Sequence, residues 1–119
     1  MVTAPEILFV GVVSFLSVHE LDAIRQREWR FFFAPVTVRD ETAYQIFTAL
    51  HAPLFVVILA FIESSVVQLG VDSFAFAHAL VHLRLRNHPL VEFGSWFSRF
   101  WIYGGALLGV LHLVLVLVL

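Results

Sequence analysis

The sequence predicts an all-α integral membrane protein, a four-helix transmembrane bundle in antiparallel up-down order with both termini on the non-cytoplasmic side. Three observations lead there. Hydrophobic residues make up 61% of the 119-residue chain and charged residues 13%, with a mean hydropathy of +0.93, well outside the composition of soluble domains. Four apolar stretches, at about residues 5–24, 43–62, 66–85 and 100–119, approach the ~20 residues that a helix needs to cross ~30 Å of hydrocarbon. All seven basic residues are arginines. Arg25, Arg27, Arg30 and Arg39 fall between the first two stretches, and Arg84, Arg86 and Arg99 lie between or flank the last two. The positive-inside rule puts those two connections in the cytoplasm.

The first helix is expected from Pro5, a residue suited to a helix start, through Ile24 and onward as a partly exposed extension to about Phe33. The apolar run 7–18 covers only ~18 Å, so the span must draw in His19, Glu20 and Asp22. On a continuous helix His19, Asp22, Gln26 and Arg30 share a face, Glu20 lies about 100° away and Glu28 is opposite. Trp29 and Phe31-Phe32-Phe33 read as an interfacial aromatic anchor. Asp40-Glu41-Thr42 signals the next helix start, and Pro53 should kink that helix beside His51. The third span has an ambiguous start: near Ser73 it is short, and near Val66 it buries Gln68 and Asp72. Asn87-His88-Pro89 breaks the chain, and the last helix is expected from near Leu90. Ser98, Gly105, Gly109 and His112 form a stripe of small and polar residues on it, with Gly105 and Gly109 as a GxxxG pair for close helix contact or self-association.

These spans form a single domain whose expected partner is the lipid bilayer of the cytoplasmic membrane. The net charge of −2 and the lack of a basic stripe give no indication of nucleic acid. Without cysteine there is no disulfide, thiolate nucleophile or sulfur-ligated metal site. The N-terminal run lacks the basic region and cleavage site of a signal peptide and reads as a retained span.

Counting residues from the flanking arginines and from Thr42 puts His19, His51, His78 and His82 ~3–14 Å inside the cytoplasmic edge. His112, ~20 Å past Arg99, lies deeper. His19 with Asp22 (HxxD) and His78 with His82 (HxxxH) each place two ligands on one helix face. Imidazoles with a carboxylate are the donor set that zinc or non-haem iron takes. The predicted metal site is therefore His19, Asp22, His51, His78 and His82, acting on a lipophilic substrate. Taken singly, each histidine has a structural alternative in a helix-end ion pair or a hydrogen bond to a backbone carbonyl. Two other functions fit the same residues. One is a non-covalent haem-binding electron-transfer subunit, with His51 and either His112 or His82 as axial ligands. The other is a non-catalytic accessory subunit of a membrane complex, docking through the Gly105/Gly109 face.

The segments HELDAIRQREWRFF, LHAPLF, HALVH and NHPLVEFGSWFS together resemble a small family of prokaryotic membrane proteins classed as a domain of unknown function. The likeness runs from His19 to about His112. It implies a four-helix membrane protein and supplies no activity or catalytic residue.

Overall fold

The computed structural model describes residues 1–118 and is all-helical: α1 (Ala4–Arg25), α2 (Trp29–Phe32), α3 (Asp40–Ala60), α4 (Ser65–Arg84) and α5 (Trp96–Val118). The four long helices are each long and apolar enough to cross a membrane.

Local chemistry sets the ends. Thr3 and Glu6 close a reciprocal capping box at the start of α1: the Thr3 hydroxyl accepts from the Glu6 amide at 3.3 Å, and the Thr3 amide donates to the Glu6 carboxylate at 2.7 Å. Ser64 caps α4, and the Gln68 side-chain amide donates to the Ile62 carbonyl at 2.8 Å. The third span therefore takes the earlier of its two starts, and Asp72 is buried within it. Pro53 sits inside α3, where its ring nitrogen cannot donate to the Ala49 carbonyl. The last helix starts later than expected. Residues 90–95 form a turn and an irregular segment, and Ser95 caps α5 by accepting from the Ser98 amide at 3.1 Å.

Helix α5 is the central element and packs along both α1 and α4, while α3 packs chiefly against α2. Along α1 and α5 the touching pairs are Phe9 with His112, Gly11 with Leu108, Phe15 with Gly105, and Asp22 with Ser98. Between α4 and α5 they are Asp72 with His112 and Ala75 with Gly109. The glycines explain the close approach. A Cβ on Gly109 would lie 3.3 Å from the Asp72 carbonyl oxygen, and one on Gly104 would lie 2.6 Å from the Phe15 ring. The Gly105/Gly109 face is thus occupied by the chain's own α1 and α4.

Trp29 is a core residue and not an interfacial anchor. It is buried with Ala23, Ala43, Phe47, Ala79 and Phe93 and meets the Tyr44 ring edge-on at 5.3 Å. Phe32 stays half-exposed against Phe47.

Polarity is arranged in reverse of a soluble protein. Seven polar or charged side chains (His19, Asp22, Glu28, Asp72, His82, Ser98 and His112) are buried beside eleven apolar ones, while Leu, Val, Ile and Phe cover the outside. In water such an exterior would be an aggregation surface, whereas in hydrocarbon it is the solvated one.

Candidate metal centre

The end of α1 decides the site. Apolar periodicity stops after Ile24, and the helix closes with a Schellman motif: the Arg27 amide donates to the Ile24 carbonyl at 3.2 Å and the Glu28 amide to the Ala23 carbonyl at 3.0 Å. Arg27 occupies the left-handed position with φ 58°, where glycine is usual and another residue costs roughly 1–2 kcal/mol. This reversal swings Glu28 back against the bundle. The expected helical extension would have pointed it away from His19; here it is buried, with its carboxylate 3.9 Å from His19 Nε2, 3.4 Å from His78 Nε2 and 3.3 Å from His82 Nε2.

One atom from each of His19, Glu28, His78 and His82 lies within 4.8 Å of every other, a group that could hold a metal ion. His78 and His82 project from adjacent turns of α4 with their Nε2 atoms 3.1 Å apart. Among the described residues neither ring nitrogen of His19 has a hydrogen-bond partner, although the residue is fully buried. Phe93, from the irregular segment before α5, packs on both His19 and His82, with ring centroids 5.3 and 4.7 Å away. Burial pushes the Glu28 carboxyl up, but hydrogen bonding with His78 and His82 outweighs it and holds it at about 2. Glu28 therefore carries a negative charge at neutral pH. A cavity of about 240 Å³ adjoins the cluster, walled by Phe31, Phe74, Val81 and Leu90 and reaching Glu28, His78 and His82.

Two of the predicted ligands lie elsewhere. Asp22 is buried, but its Oδ2 accepts from Ser98 Oγ at 2.5 Å and its Oδ1 from the Gln26 amide at 3.3 Å. His51 pairs with Glu20 at 2.5 Å through Nε2, while Nδ1 donates to the Phe47 carbonyl at 2.7 Å. The residue on α1 that His51 reaches is thus Glu20, one position round the helix from His19. The histidines of the haem arrangement are likewise each engaged with an acid. His112 bonds to Asp72 through Nδ1 at 2.6 Å and packs against Phe9 with the rings tilted by 40°, whereas His51 sits at the level of Glu20. Eleven residues of α1, ~16 Å, separate those levels. His82 directs Nε2 at Glu28 and His78.

Fold and cluster together define an all-helical protein with four potential membrane-spanning helices and a His/Glu group able to take a metal ion. The chain belongs to a family of unknown function, DUF6713, whose sequence model matches residues 5–119. No curated protein and no solved structure matches it.

Because Arg27 alone bears the strain of the turn that delivers Glu28, the two directions of substitution should separate. Arg27→Gly should keep or raise the thermal midpoint of the purified protein in detergent. Arg27→Val, which a left-handed φ penalises, should lower it by roughly 2–8 °C. Equal midpoints for the two variants would contradict this account of the turn.

Proposed function

We propose that the protein is a multi-pass membrane metalloprotein that binds one zinc or iron ion through His19, His78, His82 and Glu28 and acts on a lipophilic substrate. The observation that carries this reading is the spacing of the donor atoms. Tetrahedral zinc with bonds of about 2.0–2.1 Å places its ligand atoms about 3.3 Å apart; here His78 and His82 Nε2 lie 3.1 Å apart and 3.4 and 3.3 Å from Glu28 Oε1, His19 Nε2 lies 3.9 Å from Glu28 Oε2, and the set as a whole falls within 4.8 Å. Without a cation, His78 and His82 crowd two ring nitrogens 3.1 Å apart against one Glu28 oxygen, and His19 keeps two buried nitrogens without a hydrogen-bond partner among the described residues. A cation satisfies the convergent atoms together, and the anionic Glu28 offsets part of its charge in apolar surroundings.

A metal ion held there would supply Lewis acidity, either to bound water or, for iron, to oxygen. The residues do the rest: three histidines and Glu28 fix the ion at the end of the bundle, Phe93 covers one side, and the cavity beside His78 and His82 admits an apolar body. That cavity supports a substrate drawn from the membrane.

The contact order supports an up-down bundle. Partner numbers fall along α5 as they rise along α1 and α4. With the arginines inside, both termini lie outside and the metal centre lies near the cytoplasmic face. The chain has no native cysteine, so Arg39→Cys should react with a membrane-impermeant maleimide in inverted vesicles and stay unlabelled in intact cells. Labelling in intact cells only would reverse the orientation.

Elemental analysis after chelator-free purification should find about one zinc or iron per chain. His19→Ala and His78→Ala should each reduce this below ~0.2, whereas Asp22→Asn should retain it. Wild-type protein below ~0.2, or equal loading in all variants, would remove the metal from the account.

A further inference from the structure

Helix α3 buries only Ala43 and Phe47 of its 21 residues. Beyond His51 it stands away from α1 and leaves a cleft of about 600 Å³, walled by Val13, Leu21, Ile24, Phe55 and Leu59. A second cavity of about 320 Å³ opens between α1, α3 and α4, and it shares Val13, Ser17, Glu20, Phe55 and Ile58 with the first. Glu20 thus stands in the wall between two apolar spaces. Roughly 300–1,000 Å³ is the size of a small-molecule site, and such sites are mostly apolar with a few placed polar groups.

Polar groups in the cleft are few: Ser17, Glu20, Thr48 and His51, with the Thr48 hydroxyl buried and without a hydrogen-bond partner among the described residues. The Ser17 hydroxyl donates back to the Val13 carbonyl at 2.8 Å. His51 is engaged at both ring nitrogens, by Phe47 and by Glu20 Oε2. Glu20 Oε1 has no hydrogen-bond partner among the described residues, although the side chain is only 17% exposed. A carboxylate with a free oxygen and an imidazole, half-sunk in an apolar cleft, is an expensive arrangement for hydrocarbon to surround. Leu21, Ala52 and Leu59 at the cleft edge are exposed, so its mouth opens on the surface that lipid would cover.

We propose that this cleft binds a single-chain lipophile through its polar head, a hydroxyl group that donates to the free Glu20 Oε1. The head hydrogen-bonds to the Glu20–His51 pair, and the chain lies along α1 and α3 between Val13 and Leu59. This rests on the membrane embedding proposed above and not on the metal ion, whose ligands are other residues. A phospholipid acyl chain filling the same space would have nothing to offer Glu20, so it is a distinguishable occupant.

The test uses the full chain in lipid nanodiscs and two photoreactive probes of equal length: a long-chain alcohol and a hydrocarbon, each with a diazirine at the same carbon. Peptide mapping by mass spectrometry should find the alcohol crosslinked to residues such as Leu21, Ala52 and Phe55 roughly fivefold or more above the hydrocarbon, the ratio that one net hydrogen bond provides. Glu20→Leu combined with His51→Leu removes both partners together and should bring the ratio to about one. Ala52→Trp, at an exposed position that leaves the pair intact, should fill the cleft and abolish crosslinking by either probe there. Metal content measured on the same samples should match wild type, so loss of the lipophile site and loss of the metal are read separately. Equal labelling by the two probes in the wild type would make Glu20–His51 a latch for α3 only and overturn the proposal. Persistence of the alcohol preference in Ala52→Trp would overturn it as well.

Discussion

Every acid buried within the bundle must find a hydrogen-bond donor inside it, and this requirement organises the structure. Glu28 faces three imidazoles, Glu20 takes His51, Asp72 takes His112, and Asp22 takes Ser98 and Gln26. An unpaired carboxylate in an apolar interior costs several kcal/mol, so each pairing strongly constrains where two helices meet. Asp72–His112 joins α4 to α5 at one end, and Asp22–Ser98 joins α1 to α5 toward the other. Glu20–His51 holds α3 to α1, and the Glu28 cluster ties the turn after α1 to α4.

Packing follows from those points of attachment. Polar contacts have little reach, so the helices that make them must come close, and Gly105 and Gly109 provide the clearance on the two faces of α5. Among the described residues helix α3 has one polar contact with α1, His51–Glu20, and few buried side chains, so it diverges from α1 after His51 and leaves clefts lined by apolar residues. The same logic distinguishes the four acid-histidine and acid-serine units by what surrounds them. Asp72–His112 is sealed by Phe9 and the close α4–α5 contact. The Glu28 cluster and Glu20–His51 each border a cavity, which is why function is sought at those two.

Much of this was legible in the sequence because it depends on composition and helical spacing. The four apolar stretches appear within a few residues of their observed bounds, and the i, i+4 spacing of His78 and His82 on α4 is the spacing that brings their Nε2 atoms together. His19 was recognisable because the apolar run before it is too short to span alone, so a helix long enough to cross a membrane must include it. Glu28 was not. Its position depends on a left-handed residue at Arg27, a place where glycine would have announced the turn and arginine does not; the only sign was the loss of apolar periodicity at Arg25-Gln26-Arg27-Glu28. Asp22 was misassigned for a related reason. It shares a helix face with His19, but spacing along one helix says nothing about the neighbour opposite, and Ser98 at the start of α5 is a donor that needs no metal. Similarly, Glu20 looked peripheral by its angle from His19, yet that angle is what turns it toward α3 and His51. Phe93 carried no signal at all, since its burial depends on the irregular path of residues 90–95.

The central claim is that three imidazoles and one carboxylate from α1, the turn after it and α4 converge on a single ion. X-ray absorption at the metal edge of the purified, chelator-free protein tests it most directly. The account predicts a first shell of four nitrogen or oxygen neighbours at about 2.0–2.2 Å, with outer-shell scattering from three imidazole rings. A first shell of water or carboxylate oxygens lacking imidazole scattering would place the metal elsewhere and contradict the assignment of His19, His78, His82 and Glu28.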